Sequence, residues 1–220
     1  MSEPEVIKVV LLGESGVGKT SIISQYTTKK FNARCATSVS AQFTTKIIEF
    51  PEFEKSLKFD IWDTVGQEKY RSLTKIFYRD AKVIVFVYDI TKEVTFKALK
   101  DYWYKEACNS TEGKPIFALV ANKTDLYLDQ QINNKDGKEF AEEMNAIFQT
   151  TSAKKDTGIN TLFENIGKKI LIPDYDYRNS DNSLEKDYSK KIQQEKKDKK
   201  IKLEKKNTGD IIQANKKACC

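Results

Sequence analysis

The stretch Gly13-Glu14-Ser15-Gly16-Val17-Gly18-Lys19-Thr20 decides the fold. It follows Val6–Leu12 (VIKVVLL), a β-branched run that reads as a buried strand, and it leads into Lys19–Thr27, which has helical character. G-x-x-x-x-G-K-[ST] between a strand and a helix is a phosphate-binding loop. Its glycines let successive backbone N–H groups converge on phosphate oxygens, and the helix N-terminus adds a favourable dipole. Lys19 supplies a point charge for β- and γ-phosphates, and the Thr20 hydroxyl suits Mg²⁺. A plain glycine-rich turn would account for a lone glycine pair, but not for all eight positions in this context. By itself the loop specifies a nucleoside triphosphate and no particular base.

Outward from this loop, strands and helices alternate. Phe43–Phe50 and Leu57–Ile61 are alternating runs joined by a polar segment containing Pro51, which predicts an antiparallel hairpin. Lys82–Tyr88 (KVIVFVY) and Pro115–Ala121 (PIFALVA) read as buried strands, and Ile147–Thr151 as a short last one. Lys92–Ala107, Ile132–Met144 and Ile159–Ile170 have helical spacing. This order predicts a three-layer α/β fold of the P-loop type. Its sheet is six-stranded and mostly parallel, with one antiparallel edge strand and helices on both faces. Such sheets bind ligands beyond the carboxyl ends of their strands.

Two further sites fall at such strand ends. Asp63-Thr64-Val65-Gly66-Gln67-Glu68 follows the strand that ends in Ile61-Trp62. A carboxylate at Asp63 suits Mg²⁺, the Gly66 N–H suits a γ-phosphate, and Gln67 suits the orientation of an attacking water. D-x-x-G alone is a weak signal, and it gains weight by following the phosphate loop. Asn122-Lys123-Thr124-Asp125 follows PIFALVA. The Asp125 carboxylate matches the N1–H and 2-amino donors of guanine, a pair that adenine lacks. Asn122 suits a tie to the phosphate loop, and the Lys123 stem suits the face of the base. Ser152-Ala153-Lys154, after the last strand, completes the predicted base pocket; in isolation it would read as solvated loop.

Composition divides the 220-residue chain. Residues 1–173 carry the apolar patterning of one packed domain; residues 174–220 do not. Between Lys186 and Lys217 twelve lysines face five acids, so much of the net charge of +6 lies in a segment expected to be disordered or transiently helical. A solvated spacer and an attraction to an anionic surface both fit that segment. Nucleic acid is a poorer fit, because stacking aromatics are absent from its lysine-rich centre. The absence of histidine excludes His bases and His-ligated metals, and four scattered cysteines exclude a disulfide scaffold. No apolar run reaches the roughly 18–20 residues of a membrane span, and Met1–Lys8 lacks the zones of a signal peptide, so the expected compartment is cytosolic.

GESGVGKT, WDTVGQE, NKTD and TSAK in this order and spacing resemble the Ras-like small GTPases, over about Val6 to Ile170. Ile61–Tyr70, Arg71-Ser72-Leu73, Tyr78–Ala81, Val87–Thr91 and the terminal Cys219-Cys220 are similar to the Rab family within them. The resemblance implies a G domain that binds GTP or GDP with Mg²⁺, hydrolyses GTP and serves as a membrane-anchored switch in vesicle trafficking. Residue by residue, it implies nucleotide contacts from Gly13 through Ser21, and from Phe31, Ser38, Asp63, Gly66, Asn122, Lys123, Asp125, Ser152, Ala153 and Lys154. Mg²⁺ would be held by Thr20, Ser38 and Asp63, with Gln67 and Lys19 acting in catalysis. Phe43, Trp62 and Phe77 match the aromatic triad presented to effectors, and Cys219 and Cys220 match a double lipidation site. Implied partners are an exchange factor, a GTPase-activating protein, a GDP-dissociation inhibitor, a prenylation escort protein and effectors. The implied location is the cytoplasmic face of an intracellular membrane, with a soluble pool.

The chain also departs from the family pattern. Ser38-Val39-Ser40 replaces the usual Thr-Ile-Gly, Val65 replaces Ala, and Phe77 replaces Tyr. Bulk at Val65, beside the expected attacking water, predicts slow hydrolysis. Arginines at 34, 71, 79 and 178 supply no internal finger by that pattern, so an activating partner is expected to lend one. A slowly hydrolysing GTP-binding scaffold is the rival reading. A small-molecule kinase using the same loop lacks an evident acceptor site.

Overall fold

The computed structural model of the chain describes residues 3–32, 42–64, 79–111, 113–179, 194 and 197. Its packing forms two units, Met1–Tyr175 and Asp176–Cys220. The first contains a six-stranded sheet of order β2-β3-β1-β4-β5-β6. The strands are β1 (Glu5–Leu12), β2 (Gln42–Phe50), β3 (Lys55–Asp63), β4 (Val83–Asp89), β5 (Ile116–Asn122) and β6 (Ile147–Thr150). All neighbours run parallel except β2, which pairs antiparallel with β3 from Gln42↔Asp63 to Phe50↔Lys55. The hairpin turns through a 3₁₀ segment, Pro51–Phe53, with Glu54 in the left-handed region at φ 50°. In the second unit, Tyr177–Asn179 forms a 3₁₀ turn, and Arg178 pairs with Asp176 at 2.7 Å.

Burial follows position in the sheet. Central β4 (VIVFVYD) is buried along its whole length, as a strand covered on both faces must be, while β3 alternates between buried and half-exposed residues. The helices are α1 (Lys19–Thr28), α2 (Glu93–Ala98), α3 (Tyr104–Ser110), α4 (Asn134–Glu143) and α5 (Ile159–Leu171). A π-helical turn, Leu99–Trp103, joins α2 to α3 in one continuous rod. On one face Tyr26 of α1 stacks on Phe163 of α5 at 3.8 Å, and Phe59 of β3 meets the same ring at 6.1 Å. On the other face Phe86 and Tyr88 of β4 meet Tyr104 and Phe96 of the rod, and both of those rings meet Phe140 of α4. Among the described residues no helix is long and apolar enough to cross a membrane.

The elements differ from the sequence reading mainly at their ends. β3, β4 and β5 run on into Asp63, Asp89 and Asn122, beyond the apolar runs that announce them. Ladder pairing continues there, with Leu11↔Asp63 and Asp89↔Asn122 in register. The rod reaches Ser110, past the expected end at Ala107, and contains a π turn where regular helix was expected.

Packing of α5 on the sheet depends on Gly167, where an added Cβ would fall within the buried ring of Phe50. Overpacking of this kind costs about 1–3 kcal/mol, against roughly 1 kcal/mol gained in helix propensity on replacing Gly. Gly167→Ala is expected to lower the thermal midpoint of the chain by several degrees, read by circular dichroism. An unchanged or higher midpoint would contradict this contact.

Candidate nucleotide site

Five parallel strands direct their carboxyl ends to one edge of the sheet, and the loops leaving that edge are fastened to each other by side chains. The loop after β1 wraps Lys19, which is 5% exposed; its Nζ donates to Gly13 O at 2.8 Å and Glu14 O at 3.0 Å. Burial pushes the Lys19 ammonium down to about 8, partly opposed by Asp63 and Glu14. Thr20 Oγ1 donates to Asp63 Oδ2 at 2.5 Å, joining the start of α1 to the end of β3. Thr64 Oγ1 donates to Leu11 O at 2.6 Å, pinning the chain as it leaves β3.

The last two strands contribute a second set of ties. Asn122 Nδ2 donates to Val17 O at 2.8 Å, and Asn122 Oδ1 accepts from Thr151 Oγ1 at 3.0 Å. This reach requires Gly18, which sits at φ 101° and whose added Cβ would strike Asn122 Nδ2. Ser152 Oγ donates to Asp125 Oδ1 at 2.6 Å, and Lys155 N donates to Ser152 Oγ at 3.1 Å. Thr124 N and Oγ1 both donate to Thr151 O, so the loops after β5 and β6 form one wall. Lys123 Nζ pairs with Asp89 Oδ2 at 2.6 Å, and Asp89 Oδ1 accepts from Thr91 N and Oγ1.

The structure thus brings together the loop from Gly13 to Thr20, Asp63, Asn122, Lys123, Asp125 and Ser152. Ala153 is buried beside Ser152, Lys154 and Ser15 are exposed, and Ser21 is half-buried in α1. Phe31 lies beyond α1 and is 39% exposed. Phe43 and Trp62 pair across β2 and β3 with ring centroids 5.2 Å apart. Ser38, Val65, Gly66, Gln67, Phe77, Cys219 and Cys220 lie outside the described residues. Asp89, Thr151 and Trp103, whose Nε1 donates to Glu14 Oε1 at 3.0 Å, are positioned here without having been singled out in the sequence. An acid closing an otherwise apolar strand was a legible signal for Asp89. Trp103 gave none, because a tryptophan in an amphipathic helix reads as core.

Chemically, the edge offers an ammonium and backbone amides suited to phosphates, a carboxylate at Asp125, and two hard oxygen donors. The hydroxyl of Thr20 and the carboxylate of Asp63 are the donor types that Mg²⁺ takes. A bound triphosphate favours the charged form of Lys19 and raises its pKa, so the complex holds more protons than the free protein above about pH 8. Triphosphate binding should therefore take up a proton from about pH 8 upward, and affinity should fall as pH rises there, by at most about tenfold per unit. Calorimetry in buffers of different ionisation enthalpy reads the uptake; none at about pH 9 would contradict this role for Lys19.

Comparison with known proteins agrees with this architecture. The Ras family model matches residues 8–172. Ras-related protein Rab-22A of Homo sapiens is 39% identical over 164 residues, 74% of this chain and 83% of the relative. RABA1g of Arabidopsis thaliana is 38% identical over 163 residues, 74% of each chain, and RabC of Dictyostelium discoideum is 34% identical over 164 residues, 74% of this chain and 83% of the relative. Matches of this extent, on a mostly parallel six-stranded sheet with one antiparallel edge, place the chain in the Rab family of the Ras superfamily of small GTPases.

Proposed function

We propose that the chain is a GTP–GDP switch that takes Mg²⁺ with its nucleotide and works from a membrane surface. Family membership carries the general activity, GTP hydrolysis in vesicle trafficking. The base assignment rests on one observation above all: Asp125, held by Ser152 at 2.6 Å, lies on the wall that Asn122 ties to the phosphate loop. A carboxylate fixed there accepts from both donors of the guanine edge, whereas adenine leaves it unsatisfied.

In this reading Lys19 and the loop amides bind the β- and γ-phosphates, and Thr20 and Asp63 hold Mg²⁺. When bound, the metal neutralises charge on the β- and γ-oxygens. Asn122 and Thr151 keep the phosphate and base loops in register. Asp89 steers the Lys123 stem toward the base. Phe43 and Trp62 lie adjacent on β2 and β3, which suits an effector surface. The terminal Cys219-Cys220 pair suits two lipid chains, since one chain anchors only marginally, and the lysines before it favour an anionic leaflet.

Asp125→Asn tests the base assignment. The new side chain retains an oxygen for Ser152 but presents an amide donor to the base. GTP affinity should fall by at least about a hundredfold, while xanthosine triphosphate, which offers an acceptor at that edge, should gain. Unchanged preference for GTP in competition binding would refute the assignment.

A further inference from the structure

The π turn Leu99–Trp103 interrupts a rod whose flanking residues Ala98 and Tyr104 are right-handed helical, so the backbone is widened without being broken. Both Leu99 and Trp103 are fully buried by it. The Trp103 indole nitrogen reaches out of the rod and donates to Glu14 Oε1 at 3.0 Å, across 89 positions of sequence. Glu14 stands second in the phosphate loop, and its carbonyl oxygen accepts from Lys19 Nζ at 3.0 Å. One loop residue is therefore held at its side chain by the rod and at its main chain by the phosphate-binding lysine.

A carboxylate in a phosphate loop is an electrostatic liability, because it repels the anion the loop must hold unless its position is fixed. An N–H donor to a carboxylate forms a charge-assisted hydrogen bond, stronger than a neutral one and weakened little by solvent when the donor is buried. Glu14 also lies close enough to Lys19 to favour its charged form. π turns break the regular i to i−4 ladder and occur mostly as local insertions at functional sites. Here the turn carries a polar indole edge to the phosphate loop.

We propose that Trp103 is a positioning residue which, by gripping the Glu14 carboxylate, holds the phosphate loop in its nucleotide-retaining shape and couples the 93–110 rod to nucleotide release. This rests on the nucleotide reading of the site given above. A partner pressing on the rod would then change the lifetime of bound nucleotide without touching it.

Release of fluorescent GDP from the full chain tests the coupling. Trp103→Phe keeps an aromatic ring and removes the N–H, and should speed release by about tenfold, the loss of one charge-assisted hydrogen bond. In a Glu14→Ala background the same substitution should change release by less than about twofold, because the acceptor has already gone. Gly167→Ala, away from the rod, should lower the melting midpoint yet leave release unchanged, which separates positioning from packing. Equal acceleration by Trp103→Phe in both backgrounds, no acceleration in either, or equal acceleration by Gly167→Ala would overturn the proposal. If Trp103→Phe does not fold, hydrogen exchange of the Trp103 indole N–H in the wild-type chain decides instead. If the indole hydrogen bond belongs to the nucleotide-retaining shape, its exchange should slow as GDP saturates the site, and exchange indifferent to GDP would overturn the idea. A wild-type chain that retains no GDP would sink the nucleotide reading itself, whereas retention with unaffected variants would sink only the coupling.

Discussion

The carboxamide of Asn122 is the joint on which the site depends. Its nitrogen donates to Val17 O in the phosphate loop, and its oxygen accepts from Thr151 Oγ1 beyond β6. A single buried side chain thereby fastens the loops after β1, β5 and β6 into one edge. Each of those loops would otherwise carry its own conformational entropy into binding. The register of the sheet puts Asn122 opposite Asp89, so the ion pair from Asp89 to Lys123 belongs to the same edge. Gly18 completes the joint by leaving space that a Cβ would occupy.

Electrostatics at this edge is arranged around an unfavourable burial. Lys19 is almost without solvent, and its ammonium is correspondingly easier to deprotonate than an ordinary lysine. Two carbonyl oxygens and the nearby acids Asp63 and Glu14 hold it in place without fully offsetting desolvation. A polyphosphate would supply the missing negative charge. Glu14 lies inside the phosphate loop as a negative charge, and Trp103 sets its direction.

Much of this was legible in the sequence, for physical reasons that also explain what was not. The β-branched runs at Val6–Leu12 and Lys82–Tyr88 announce strands covered on both faces, and the hairpin around Pro51 follows from alternating burial. Strand ends were less legible: Asp63, Asp89 and Asn122 are polar, so apolar patterning stops before the ladder does. The π turn left no trace, because Leu99 and Trp103 stand four apart and satisfy an ordinary helical stripe equally well. The motif residues Lys19, Asn122 and Asp125 were visible because their chemistry demands those residue types at that spacing. Asp89 closes an apolar strand and Thr151 opens the TSAK stretch, but their partners, Lys123 and Asn122, emerge only from the three-dimensional pairing.

The central claim is that this sheet edge selects a guanosine nucleotide, with Asp125 reading the base and the Gly13–Thr20 loop holding its phosphates. Isothermal titration of the nucleotide-free chain with GTP and, separately, with ATP, each with Mg²⁺, tests it most directly. GTP should bind at least about a hundredfold more tightly, the penalty for leaving the Asp125 carboxylate without its donor pair. Equal affinity for the two triphosphates would contradict the account.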